Sequence, residues 1–195
     1  HGNDLFSETG EWQGMPEPVG FVAISDTLRP AASETLRYFA QQGVEVKVIS
    51  GDSAAAVSRV ALRAGVENAG RFADLSDVPD DADYGALARS NTVFGRVTPR
   101  QKQKLVRAMQ ADGHFVAMIG DGVNDVLALK DANCSVAMAG GADAAQQVSQ
   151  LVLLDSDFSV MPQIVREGRR VINNVSRSAA LFLVKNVFSF LVSFI

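Results

Sequence analysis

Residues 116–132 read VAMIGDGVNDVLALKDA, and place Asp121, Asn124 and Asp125 on the turn between an apolar strand-like run and an apolar helix-like run. Two further strand-like runs end in the same manner. VEVKVI is followed by Ser50-Gly51-Asp52-Ser53, and TVF by Gly95, Arg96 and a helical stretch carrying Lys102. Glycines let a backbone turn tightly and approach a ligand closely. Helix N-termini offer amides and partial positive charge to an anion. Ser50 adds a hydroxyl donor and Lys102 a full positive charge. Asp121 and Asp125 would repel a bare phosphate, so their presence asks for a cation. Two carboxylates beside a phosphate site suit Mg²⁺, which binds through one or two carboxylates, water and phosphate oxygens. The pattern predicts a Mg²⁺-dependent phosphoryl-transfer site. No Gly-x-x-x-x-Gly-Lys-Ser/Thr occurs, so the site is not a P-loop.

Taken singly, the parts have plainer readings. Ser-Gly-Asp-Ser is an ordinary strand-to-helix turn. Lys102 stands among Arg100, Lys104 and Arg107, as on a solvated helix face. Asn124 and Asp125 suit the first turn of any helix through its dipole. The whole GDGVND run is harder to explain so, because capping does not require two glycines around an aspartate.

The elements that must position these residues alternate. Strands are expected at Val19–Ile24, Val44–Ile49, Thr92–Phe94, Phe115–Ile119, Ser135–Ala137 and Leu151–Leu154. Helices are expected at 30–42, 54–64, 100–112, 123–131 and 142–150, with a long one from about Val160. Residues 66–91, rich in Asp, Pro and Ser, read as a long excursion with one short helix at Tyr84–Arg89. Alternation of this kind predicts an α/β fold with a mainly parallel sheet covered on both faces. Ligands then bind outside the carboxyl ends of the strands.

A net charge of −4 over 195 residues, with no basic patch interleaved with aromatics, gives no reason to expect nucleic acid. The one cysteine, Cys134, excludes a disulfide framework or cysteine metal site and reads as a small core residue. The polar, glycine-rich start is no signal peptide. The chain begins His1-Gly2 and ends inside FLVSFI, so it is expected to be a fragment of something longer. Residues 179–195, AALFLVKNVFSFLVSFI, fall slightly short of the roughly 20 apolar residues that span a bilayer. Arg166, Arg169, Arg170 and Arg177 precede them, which would put the preceding chain in the cytoplasm. By composition alone, an amphipathic helix packed on a soluble domain fits as well.

GDGVNDVLALKDA resembles the hinge motif of P-type ATPases, cation pumps of the haloacid dehalogenase superfamily. Further matches follow in order. DTLRP at 26–30 is similar to the family's Asp-Pro-x-Arg-Pro, with Thr27 where proline is usual, and SGD at 50–52 stands where the family has Thr/Ser-Gly-Asp. FGRVTPRQKQKLV at 94–106 resembles its Arg-Val-x-Pro-x-x-Lys stretch, and GRRVINNV at 168–175 the approach to the fifth transmembrane helix. The resemblance implies a Rossmann-like three-layer α/β/α fold followed by a long C-terminal helix entering the membrane. It implies that Asp121 ligates Mg²⁺, with Asp125 and Asn124 completing the site. Ser50 and the Gly51 amide would hold phosphoryl oxygens, and Lys102 would neutralise the transferring group. Arg29, Asp52 and Arg96 would lie towards the nucleotide, ATP, and the hinge.

The family's nucleophile, the aspartate of Asp-Lys-Thr-Gly-Thr, is absent from the sequence. By the same resemblance, residues 1–25 end the nucleotide-binding domain and hinge, and 26–158 form the second segment of the phosphorylation domain. Residues 159–178 are stalk and 179–195 start a membrane helix. The expected partners are the bilayer, a transported cation (calcium is the guess) and the N-terminal part of the same multi-pass protein. The fragment alone is expected to be inactive. Two alternatives stand: a soluble phosphatase of the same superfamily, and a non-catalytic fragment that binds phosphate and Mg²⁺.

Overall fold

The computed structural model describes Gly20 and residues 28–193. The strand expected at Val19–Ile24 therefore lies, apart from Gly20, outside the described residues, as do Asp26 and Thr27. The elements run α1 (Pro30–Gln41), β1 (Val48–Ile49), α2 (Ala54–Ala64), β2 (Phe72–Asp74), α3 (Tyr84–Ser90), β3 (Val93–Gly95) and α4 (Pro99–Ala111). They continue with β4 (Ala117–Gly120), a 3-10 turn (Val123–Asp125), α5 (Val126–Asp131), β5 (Cys134–Met138), α6 (Asp143–Val148) and β6 (Leu151–Leu153). A second 3-10 turn, Phe158–Val160, leads into α7 (Met161–Val192).

All described strand pairs are parallel, in two three-stranded sheets ordered β1-β3-β2 and β4-β5-β6. The middle strands explain themselves: Val93, Phe94 and Gly95 of β3 are all buried, as are Ser135, Val136 and Ala137 of β5. A parallel neighbour needs a crossover, and the helices supply it on both faces. The parallel α/β arrangement expected from the alternation is observed, with helices on both faces as the three-layer α/β/α resemblance implies.

Two helices join the sheets. On one face, α4 sends Leu105 into a cluster with Phe94 and Ile49, and Val106 into a cluster with Val116 and Met118. On the other face, α1 sends Leu36 towards Val48 and Val93, and Phe39 towards Ile119 and Val136. β1 and β4 are thus covered by the same two helices. Among the described residues, β1 and β4 each keep one edge without a strand partner. Their exposure agrees: Val48 and Ile49 are only half-buried, and Ala117 is exposed.

Several expected elements differ in extent. The strand expected at Val44–Ile49 shrinks to Val48–Ile49, because β3 is its one partner and pairs only at Val48↔Val93 and Ile49↔Phe94. β2 lies inside the stretch read as an excursion; Phe72 and Asp74 are exposed, so its composition resembles a loop. The helix expected at 123–131 opens with a 3-10 turn, which presents Asn124 and Asp125 differently from a plain α-helical start.

α7 is 32 residues long and buries only Met161. Phe158–Val192 is long and apolar enough to cross a membrane, and none of its most apolar window is buried. Leu181, Phe182, Leu183, Val184, Val187 and Phe188 all stand more than half exposed. A contiguous apolar surface of this size marks a contact with lipid or protein.

Leu105 is fully buried where α4 meets β3. Leu105→Ala is expected to lower unfolding stability by roughly 2–5 kcal/mol, through lost burial and the cavity left behind. Denaturant unfolding checks this.

Candidate functional site

The carboxyl ends of β1 and β3 are stitched together by backbone bonds. Ser50 O accepts the Val97 N–H at 3.0 Å, and Asp52 O accepts the Arg96 N–H at 2.8 Å. The 50–52 loop therefore lies against the residues that lead into α4. Ser50 Oγ accepts the Asp52 N–H at 3.1 Å, which shapes the loop as a serine turn. Arg96 adopts a left-handed backbone, φ +52°, and turns its Nε to 3.4 Å from Asp74 Oδ2 at the end of β2. Hydrogen bonds from the Ser76 hydroxyl, then from its backbone N–H, hold the Asp74 carboxyl below its ordinary value, and the Arg96 charge adds to them. Asp74 is thus an anionic anchor for Arg96.

α4 starts with a reciprocal cap. Thr98 Oγ1 accepts the Gln101 N–H, and Gln101 Oε1 accepts the Thr98 N–H at 2.9 Å. The same buried glutamine donates from Nε2 to Leu75 O at 2.9 Å, which ties the helix start to the chain after β2. This fixes Lys102 one residue further on. Its Nζ lies 2.6 Å from Asp125 Oδ1, and the two residues are only 8% and 7% exposed. Asp125 Oδ2 accepts the Gly122 N–H at 3.1 Å. Gly120 makes room for this carboxylate, since a Cβ there would fall 2.6 Å from Asp125 Cβ.

Both Asp125 oxygens are therefore engaged inside the protein, while Asp121 and Asn124 are exposed and no described residue bonds to their side chains. Lys102 Nζ keeps two further N–H donors. Among the described residues no group of three or more His, Cys, Asp or Glu could hold a metal ion. One open carboxylate on a glycine-rich turn is a sparse, hard-oxygen donor set. That suits an ion such as Mg²⁺, which retains water and takes phosphate oxygens.

Of the residues singled out from the sequence, Ser50, Gly51, Asp52, Arg96, Lys102, Asp121, Asn124 and Asp125 share one edge of the fold. Arg29 arrives from another direction. Its Nη1 donates to Ser156 O at 2.9 Å, and with Asp121, Gly140 and Gly141 it lines an open cavity of about 360 Å³. Arg29 is beside Asp121 rather than the 50–52 loop. Sequence reasoning missed Asp74, Gln101, Gly141 and Ser156. Gly140-Gly141 after β5 could have been found by the same rule that singled out the other strand ends.

Residues 3–133 match the haloacid dehalogenase-like hydrolase family, and the chain belongs to it. It is 50% identical over 181 residues to the calcium-transporting ATPase CtpE of Mycobacterium bovis, covering 92% of this chain and 22% of that protein. It is 43% identical over 179 residues to the probable cation-transporting ATPase exp7 of Streptococcus pneumoniae, covering 92% and 23%. The chain thus spans less than a quarter of the length of these curated relatives. Among solved structures, the catalytic domain of the CPx-ATPase CopB-B superposes with a TM-score of 0.54 at 25% identity, covering 70% of this chain and 46% of that one. A zinc-transporting PIB-type ATPase in its E2.Pi state gives 0.61 at 24% identity, covering 78% and 21%; this likeness supports the fold.

Removing one member of a buried ion pair leaves an uncompensated charge. Asp125→Ala is expected to cost about 3–5 kcal/mol of stability. Lys102→Met combined with Asp125→Leu should recover most of that loss, and denaturant unfolding of the single and double variants checks both.

Proposed function

We propose that the chain is the C-terminal part of the catalytic region of a cation-transporting P-type ATPase, which couples ATP hydrolysis to ion movement through an aspartyl phosphate. The observation that carries this reading is the buried Lys102–Asp125 pair beside the exposed Asp121, at the carboxyl ends of parallel strands. Phosphoryl transfer needs positioning and charge stabilisation more than covalent help from the protein.

In this reading a carboxylate oxygen attacks the γ-phosphorus of ATP and ADP leaves. Ser50 Oγ and the Gly51 amide hold phosphoryl oxygens. Lys102 donates its remaining N–H bonds to the transferring group and to the acceptor carboxylate. Asp121 would hold Mg²⁺, which would supply charge neutralisation to the phosphate when bound. Asp125, bonded at both oxygens, serves that site by fixing Lys102 and the turn, and Asn124 completes the exposed rim. Asp52 and Arg96 face the nucleotide, and Arg29, on the Asp121 side, faces the hinge.

The acceptor carboxylate comes from the N-terminal part of the parent protein, on a strand that pairs with β1 and β4. A strand between them would satisfy both open edges. Residues 26–158 then form the second segment of the phosphorylation domain, after the end of the nucleotide-binding domain at 1–25. Residues 159–178 are the cytoplasmic stalk, and 179–195 start a span of a multi-pass membrane protein, with the arginines at 166–177 on the cytoplasmic side. Calcium is the proposed cargo, on the strength of the name carried by the 50% identical relative.

Asp121→Asn in the full-length protein is expected to abolish Mg²⁺-dependent phosphoenzyme formation from ATP; normal phosphoenzyme levels would sink the assignment. The 195-residue chain alone is expected to hydrolyse no ATP, and turnover that depends on Lys102 would overturn the need for an external acceptor. Calcium uptake into vesicles containing the full-length protein tests the cargo.

A further inference from the structure

Among the described residues the Asp121 side chain has no bonded partner, yet its backbone is held on one side with little freedom. Its carbonyl accepts the Ala142 N–H at 2.7 Å. Gly141 packs so closely that a Cβ there would fall 2.3 Å from Asp121 O and 2.9 Å from its Cα. The turn after β5 is therefore a backing plate for Asp121, and any movement of residues 140–142 moves the aspartate.

That turn is held from behind by one residue. Ser156 Oγ accepts the Gly140 N–H at 2.8 Å. A Cβ on Gly140 would lie 3.1 Å from the same oxygen, so this contact too is close. Ser156 adopts a left-handed backbone, φ +49°, which strains a serine and suits glycine or asparagine better. Arg29 Nη1 donates to Ser156 O at 2.9 Å, which grips the strained residue from the start of α1. On the chain side, Ser156 stands just before Asp157. Asp157 caps the 3-10 turn through Ser159 N–H and hydroxyl and opens the path into α7.

We propose that Ser156 is a positioning residue for the Asp121 carboxylate, acting through the Gly140–Gly141 turn, with Arg29 holding Ser156 in place. This deepens the proposed function and rests on it. Geometry supplies the argument: one hydroxyl bond to Gly140, a glycine at 141 without room for a side chain, and one backbone bond form a continuous path from Ser156 to Asp121. The path also leads towards α7, because Ser156 is followed directly by Asp157, the cap of the 3-10 turn before that helix.

The test is Mn²⁺ binding, followed by electron paramagnetic resonance on the purified full-length protein, with Asp121→Asn defining the signal that belongs to this site. Ser156→Gly is the informative variant. It relieves the left-handed backbone and removes only the hydroxyl, so it should melt no lower than the wild type. It is expected to weaken Mn²⁺ binding at the Asp121 site by about tenfold, as loss of an outer-shell support does. Ser156→Asn tolerates the same backbone and offers an acceptor to Gly140 N–H, and is expected to restore binding to near the wild-type midpoint. An unchanged Mn²⁺ midpoint in Ser156→Gly overturns the inference, as does equal weakening in Ser156→Asn. If Asp121→Asn instead leaves wild-type Mn²⁺ binding intact, the metal assignment of Asp121 itself fails, and the two failures are told apart.

Discussion

The buried pair of Lys102 and Asp125 is the contact on which the rest of the site depends. Burying two charges is costly, and their attraction offsets this only when the geometry is close and the remaining polar atoms are bonded. Both conditions are met here: a 2.6 Å contact, and the Gly122 N–H on the second carboxylate oxygen. The lysine comes from α4, after the first sheet, and the aspartate from the turn after β4, in the second. The pair therefore fastens the two sheets together at their carboxyl ends. It also decides which carboxylate is open, because Asp125 is consumed by the protein and Asp121 is left exposed.

Around this fastening the fold is held by α1 and α4, which pack on both sheets from opposite faces. The helices cover both β1 and β4, which share no strand pairing among the described residues. Among the described residues each of these strands leaves one edge unpaired, and such N–H and C=O groups invite another strand. The half-buried side chains of β1 record the same incompleteness.

Much of this was legible in the sequence, for definable reasons. Helices α2 and α4 carry their own boundaries in caps and amphipathic spacing, and the structure places them within a residue of expectation. Glycine and aspartate at strand ends marked the residues of the site because turns there have few alternatives. β2 was missed because its three residues are half in water and carry no apolar alternation. The length of β1 was overestimated because a strand extends only as far as its partner, and that partner is distant in sequence.

By itself, the sequence determined the alternation of strands and helices, the edge at which polar residues gather, and the apolar length of α7. These follow from local preference and periodicity, which act within a few residues. Tertiary structure alone decided that Asp125 is bonded to Lys102, 23 positions away, and that Arg29 meets Ser156, 127 positions away. It also decided that Gly141 must lack a side chain because the Asp121 backbone lies against it. Those facts depend on which surfaces the packed helices bring together, and no local rule encodes that.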